Sequence, residues 1–308
     1  MNVANRRFVF FLIALFLSLL LAGCPPKIII PPDEIPMPKV GLVLSGGASR
    51  GFAHVGVIKA LERANIPIDI IVGTSAGSLT GAMYAYYKNA AMLETEAKKI
   101  DKEDIFDFNI FTLSVGVVPG KRIVEFVDRI IKVKNIEDLK IPFAAVATDL
   151  NTGERVIFNR GSISTAIRAS SSIPGVFIPL TYGGRLLVDG GVVDNMPVDI
   201  ARKMGADIVI AVDITENVSN YEIGNVVDII LQTLNIMSAE ITRYKIAEAD
   251  VVIRPDVRGV GLIDFTKKTY MITRGEEAAR RALPQIREAI RKATDRLTEE
   301  ELERRKNK

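Results

Sequence analysis

The sequence predicts an α/β fold, a mainly parallel central sheet with helices on both faces. Three observations predict it. From Val40 onward, short apolar runs rich in Val and Ile alternate with longer stretches of helical character, the pattern of parallel strands joined by crossover helices. A strand, glycine-containing turn and helix occur twice in succession between Val40 and Tyr87. Of the 308 residues, 48% are apolar and 25% charged, which is enough apolar material to bury a large core and argues against disorder.

Taken in order, the chain opens with a segment that stands outside this pattern. Arg6 and Arg7 precede Phe8 to Leu21, an almost uninterrupted apolar run that ends in Ala22-Gly23-Cys24. Residues 1–23 read as an export signal, because the run is short for a bilayer-spanning helix of about 20 residues. An uncleaved N-terminal anchor is the alternative. Leu21-Ala22-Gly23-Cys24 resembles the bacterial lipobox, which implies a diacylglyceryl group on Cys24 and an exported, membrane-anchored lipoprotein, with the leaflet left open. Residues 24–38 carry Pro25, Pro26, Pro31, Pro32, Pro36 and Pro38, a density that favours extended chain and reads as a tether. The folded domain is expected over residues 39–308.

Within the domain, Val40 to Leu44 is an apolar run of strand length, followed by a glycine-rich turn and an amphipathic helix over Phe52 to Ala64. Ile68 to Val72 repeats the strand, and Ala76 to Tyr87 the helix. Further strands are expected at Phe143 to Thr148, Arg155 to Phe158, Leu186 to Val188, Ile208 to Val212 and Val251 to Ile253. The intervening helices are expected at Arg122 to Ile131, Ser164 to Ala169, Pro197 to Met204, Val226 to Ala247 and Arg274 to Ala293. Leu297 to Lys308, dense in Glu, Arg and Lys, reads as a solvated helix end or tail.

Composition removes several function classes. The formal net charge is only +3 with the basic residues dispersed, so nucleic acid is not an expected partner. One cysteine and one histidine cannot supply a disulfide or the usual zinc or iron ligand sets, so neither a metal nor a cofactor is expected. The pattern of an EF-hand calcium loop is absent.

Three motifs carry chemistry. Gly73-Thr74-Ser75-Ala76-Gly77 fits G-x-S-x-G between an expected strand and an expected helix, where a serine is exposed on a sharp turn beside a helix N-terminus. A serine cap at a helix start is the plainer reading. Ser45-Gly46-Gly47-Ala48-Ser49-Arg50-Gly51 lies after the first strand, and its consecutive glycines can present backbone N–H groups to an anion. A dinucleotide turn is the rival, but the order is not G-x-G-x-x-G and no acidic residue ends the second strand. In Leu187-Val188-Asp189-Gly190-Gly191 a short strand ends in an aspartate, which alone would pass for an ordinary turn.

In this order the three motifs resemble those of the patatin-like phospholipase family, a glycine-rich oxyanion loop, a serine elbow and an aspartate-glycine motif. Arg168 to Pro174 and Asp194-Asn195-Met196-Pro197 also resemble family segments. The resemblance implies a three-layer sandwich, a catalytic dyad of Ser75 and Asp189, and oxyanion donors at the backbone of Gly46, Gly47 and Ala48. Ala48 stands where the family usually has a third glycine, and it still offers an amide. Gly73, Gly77, Gly190 and Gly191 support the turns. Arg50 matches the family's basic position and either orients the loop or is a solvated helix-end charge. His54, the sole imidazole, would have to serve any Ser-His-acid triad; the expectation is instead a packing or hydrogen-bonding role. Without imidazole the base is a carboxylate with an ordinary pKa of about 3.9, so burial must raise it.

The resemblance implies acyl-ester hydrolysis of lipids through an acyl-enzyme, as an esterase, lysophospholipase or phospholipase A. Ile105 to Val118 is read as an acyl-pocket wall, a lid or plain core. Two other readings stay open: transfer of the acyl group to another alcohol, and a noncatalytic lipoprotein that binds lipid.

Overall fold

A computed structural model describes residues 30–31, 34–106, 118–215, 224 and 226–307. The export signal, Cys24, most of the tether and the middle of the 105–118 stretch lie outside the described residues.

The strands are β1 (Val40–Leu44), β2 (Ile70–Thr74), β3 (Phe143–Asp149), β4 (Arg155–Phe158), β5 (Leu180–Tyr182), β6 (Arg185–Asp189), β7 (Ile208–Val212) and β8 (Val251–Ile253). They form one sheet in the order β5-β6-β3-β2-β1-β7-β8, with β4 paired to β3. From β8 through β7, β1 and β2 to β3 every pairing is parallel. The pairings of β3 with β4, β3 with β6 and β5 with β6 are antiparallel. The mainly parallel expectation therefore holds for the centre and one side of the sheet. The antiparallel strands gather at the other side.

The helices are α1 (Phe52–Arg63), α2 (Ala76–Tyr87), α3 (Ala90–Lys99), α4 (Lys102–Ile105), α5 (Lys121–Ile130), α6 (Ile163–Ser170), α7 (Val198–Lys203), α8 (Val226–Lys245) and α9 (Lys268–Lys306). Alternate residues of the buried strands face two separate apolar cores. Leu42, Leu44, Ile71, Ala145 and Ala147 pack beneath α1, α2, α3, α5, α6 and α9. Val43, Ile70, Val72, Ala144 and Val146 pack against Val198, Ile200 and Ala201 of α7. The result is a three-layer sandwich with one thick and one thin helical layer.

Two units are distinguished by their internal contacts, Pro38–Ala293 and a second made of Met1–Met37 with Thr294–Lys308. In the second, Arg305 pairs with Glu34 at 2.5 Å and with Glu301 at 2.8 Å.

The register of β3 brings two distant motifs together. Thr74 of β2 pairs with Val146, and Asp189 of β6 pairs with the next residue, Ala147. Strand β4 takes the other edge of β3 at both positions. Strand β2, running parallel to β3, and β6, running antiparallel, thus end head to head along the same edge. Ser75 and Asp189 sit at that junction.

Candidate active site

Ser75 follows β2 directly and precedes α2, with φ 53° and ψ −123°. A non-glycine residue in this region is strained, and such strain persists only where surroundings enforce it. Here they do. The Ser75 amide donates to Ser170 Oγ at 2.9 Å, and that hydroxyl donates to the Val146 carbonyl at 2.6 Å, pinning the turn to β3 through α6. A Cβ on Gly77 would lie 2.2 Å from the Leu44 carbonyl oxygen, and one on Gly73 2.5 Å from the Gly77 backbone. The turn can be this tight only with glycine at both places.

Ser75 Oγ donates to Asp189 Oδ2 at 2.6 Å. The second carboxylate oxygen accepts from the Gly191 amide at 2.8 Å, and the Asp189 carbonyl accepts from Thr148 Oγ1 at 2.9 Å. Gly190 packs on β3, where a Cβ would lie 2.2 Å from the Val146 carbonyl oxygen. Both Ser75 and Asp189 are buried. Burial pushes the Asp189 pKa up to about 6, against the opposing pull of the hydrogen bonds from Ser75 and Gly191.

The glycine-rich loop lies beside this pair. The Gly46 amide donates to Asn195 Oδ1 at 2.9 Å, so it is already engaged in this structure. Among the described residues, nothing accepts from the amides of Gly47 and Ala48, and both residues border the same cavity as Ser75. The loop is held by Ser49, whose amide donates to the Leu262 carbonyl at 2.9 Å and whose hydroxyl donates to that of Gly261 at 2.8 Å. Arg50 is not a solvated charge. It is buried, and its Nε donates to the Val260 carbonyl at 3.0 Å, so it ties the loop to the chain ahead of α9.

His54 is fully buried in α1, and its Nε2 donates to the Ser45 carbonyl at 2.8 Å. The partner is a carbonyl, so the proton sits on Nε2 and Nδ1 is left as an acceptor, which finds no donor among the described residues. Burial lowers its pKa to about 4 and keeps the ring neutral. Its hydrogen bond is to the loop backbone rather than to Ser75 or Asp189.

Two cavities meet at Ser75. One is apolar and runs between α2, α3 and α5 past Leu79, Met83, Leu93, Ile100 and Ile123. Ile105 and Phe106 also line it, while residues 107–117 lie outside the described residues. The other is lined by Asp189, Gly191, Asn195, Thr215 and Ser238 and is roofed by α8. Among the described residues there is no cluster of His, Cys, Asp or Glu able to hold a metal, and no helix is long and apolar enough to cross a membrane.

Ser170 and Asn195 are the site residues that motif reading left without a role. Both lie in segments marked by resemblance, Arg168 to Pro174 and Asp194 to Pro197, but only the fold shows which atoms they hold. Next to Asn195, the buried Asp194 pairs with Arg155, which also binds Asp199 at 2.8 Å. The Asp194 carbonyl accepts from Thr74 Oγ1 at 3.0 Å.

A family model described as patatin-like phospholipase matches residues 42–202. The chain is 38% identical over 183 residues to patatin-like phospholipase domain-containing protein 6 of Mus musculus, covering 57% of this chain and 13% of that protein. It is 41% identical over 179 residues to lysophospholipase NTE1 of Meyerozyma guilliermondii, covering 57% of this chain and 12% of that one. An uncharacterized NTE family protein of Mycobacterium bovis is 39% identical over 181 residues, 58% of this chain and 49% of that protein. The chain thus spans half or less of the length of these relatives. Among solved structures, VipD from Legionella pneumophila shares the fold, with a TM-score of 0.57 at 14% identity over 87% of this chain and 72% of that one.

Proposed function

The chain belongs to the patatin-like phospholipase family, and on that premise we propose that it is a serine acyl hydrolase of lipid esters working through a Ser75–Asp189 dyad. The observation that carries the reading is the 2.6 Å hydrogen bond from Ser75 Oγ to a buried carboxylate whose pKa is raised to about 6. A base poised there is ionised at neutral pH yet basic enough to share the serine proton in the transition state.

In the first step Ser75 Oγ attacks the ester carbonyl while Asp189 Oδ2 takes its proton. The oxyanion forms beside the Gly47 and Ala48 amides, with the fatty chain in the apolar cavity. Collapse breaks the bond to the leaving alcohol, which receives the proton from Asp189, and leaves Ser75 acylated. Water then enters by the second cavity and attacks the acyl carbon as Asp189 takes its proton; collapse breaks the bond to Ser75 Oγ, which recovers the proton from Asp189, and the fatty acid is released. Lysophospholipid and phospholipid esters are the favoured substrates, in keeping with the printed name of the fungal relative.

The test is turnover of lysophosphatidylcholine by the purified chain, together with labelling by a fluorophosphonate probe. Because the ionised carboxylate is the active form, kcat/KM is expected to rise as pH increases through about 6 and then level off. His54→Ala should keep this profile, since its imidazole is spent on the Ser45 carbonyl. A folded but inactive His54→Ala protein would restore a histidine triad, and an unaltered chain that neither labels nor turns over any ester would end the hydrolase reading.

We likewise propose that Cys24 carries a diacylglyceryl anchor that holds the exported domain beside its substrate, because each buried methylene contributes about 0.8 kcal/mol to membrane binding. Cys24→Ala is expected to lose the lipid mass seen by mass spectrometry of the membrane fraction. An unlipidated mature protein would refute the anchor.

A further inference from the structure

The amide of Asn195 is fixed in orientation by a single contact. Its oxygen must be the atom that meets the Gly46 N–H, 2.9 Å away, because two donors cannot face each other. That choice turns Nδ2 away from the loop. Asn195 is buried, only 3% exposed, and forms part of the wall of the second cavity with Ser75 and Asp189. No described residue accepts from Nδ2.

The other polar groups of that wall are mostly committed. Ser238 Oγ donates to the Gly191 carbonyl at 2.8 Å, and Thr215 Oγ1 donates to Asp213 Oδ1 at 2.6 Å. Asp189 is occupied by Ser75 and Gly191. The distance to the reacting serine is short. A Cβ built on Gly46 would lie 2.6 Å from Asn195 Oδ1 and 3.0 Å from Ser75 Cβ, so the amide and the nucleophile border the same point beside the loop.

We propose that Asn195 Nδ2 is a further catalytic donor, which hydrogen-bonds the leaving alcohol's oxygen as the tetrahedral intermediate collapses. The assignment rests on the acyl-hydrolase reading. It gives the two cavities different roles: the apolar one takes the acyl chain, and the polar one takes the alcohol. When the acyl C–O bond breaks, the electron pair goes to the leaving oxygen, Asp189 delivers the proton it took from Ser75, and Asn195 stabilises the charge that builds there meanwhile. A poor leaving group such as a glyceryl alkoxide needs that help. A nitrophenolate, which carries its own charge easily, does not.

The experiment compares a nitrophenyl ester with the ethyl ester of the same short-chain acid, under acylation-limited kcat/KM conditions, in the unaltered chain and in two variants. Asn195→Asp keeps an acceptor for the Gly46 amide and removes the donor. Asn195→Ala removes both, and serves if the first does not fold. Turnover of each ester should fall in both variants, because the loop or the charge of the site is disturbed. The inference requires the ethyl ester to fall about tenfold or more beyond the nitrophenyl ester, a part of the roughly 10²–10³-fold loss when a transition-state donor is removed. If both esters fall by the same factor, Asn195 only positions the glycine-rich loop and the assignment is overturned. If the unaltered chain cleaves neither ester, the acyl-hydrolase reading itself fails, a result distinct from an unchanged ratio.

Discussion

Asp189→Asn lowers ester turnover on the order of 10³-fold or more and, above pH 6, raises the melting temperature. The two effects share one cause. The asparagine can accept from the Gly191 amide with Oδ1 and donate to Ser75 Oγ with Nδ2, so both hydrogen bonds of the carboxylate are replaced. No atom is left to take the serine proton, and the nucleophile stays a neutral alcohol. The stability change follows from the direction of the Asp189 shift. Its folded pKa is raised from 3.8 to about 6, so the protonated form is the one the fold favours. The stability contributed by that group is fully present below about pH 3.8 and is lost as pH rises through about 6. By pH 8 the ionised carboxylate costs up to about 3 kcal/mol, at about 1.4 kcal/mol for each pKa unit. The neutral amide avoids that cost.

The melting temperatures of the two proteins should therefore agree near pH 4 and separate between pH 4 and 6, with the variant higher by several degrees. Ser75→Ala should be equally inactive without this gain, because it removes a hydrogen bond from the carboxylate and leaves the buried charge in place. Substantial turnover by Asp189→Asn would remove Asp189 as the base. A variant less stable than the parent at pH 8 would show that the carboxylate is not held at the expense of the fold.

The parts of this site that are legible in sequence are those whose chemistry is local. A serine between two glycines two residues away on either side, after an apolar strand, specifies a turn that only small residues allow. Seen alone, Leu187 to Gly191 reads as an ordinary turn. Its meaning comes from the pairing of β3 with both β2 and β6, in which Val146 and Ala147 place two chain-distant ends in contact. No periodicity in the segment itself encodes that register. The engagement of the Gly46 amide is invisible in the sequence for a similar reason, since its partner Asn195 lies 149 residues away. Arg50 was open between a solvated and a structural role because a sequence shows charge but not burial.

The apolar strands β1, β7 and β8 have the bounds their sequence implies, whereas other elements depend on their neighbours. The sheet takes β2 two residues later than its apolar run begins, because Asp69 precedes the strand and its carboxylate accepts from the Val40 amide at 2.8 Å. Helix α3 has no counterpart among the expected helices, although Asn89 caps it by accepting from the Met92 amide. The three residues of β5 exist only as a partner for β6.

The C-terminal helix shows how packing overrides local preference, and it supplies the second large effect. The expected helix, Arg274 to Ala293, already contains Gly275 and Pro284, residues of low helix propensity, and α9 extends it at both ends, from Lys268 to Lys306. Gly275 is there for its size. A Cβ on Gly275 would lie 1.9 Å from the Ala53 carbonyl oxygen, and one on Gly56 would lie 1.8 Å from that of Ile272. Helices α1 and α9 therefore meet backbone to backbone, each with a glycine at the contact.

Gly275→Val is expected to lose at least about 3 kcal/mol, or to fail to accumulate as folded protein, because the clash is with main chain that no rotamer can clear. Gly275→Ala is the sharper test, since its sign is decided by competing effects. On an open helix surface the change should stabilise by about 1 kcal/mol through helix propensity. Here a single methyl must push α1 away from α9, so a net loss is expected in denaturant unfolding. The displacement should reach the active site. Helix α1 begins at Phe52, directly after the turn that carries Gly47, Ala48 and Arg50, so moving it moves the oxyanion loop relative to Ser75. The Gly275→Ala protein that remains folded should show a lower kcat with little change in KM, since binding in the apolar cavity survives while transition-state contacts are displaced. A stabilised Gly275→Ala protein with unaltered kcat would mean that the two helices are not in backbone contact, and that the loop is held by Arg50 and Ser49 alone.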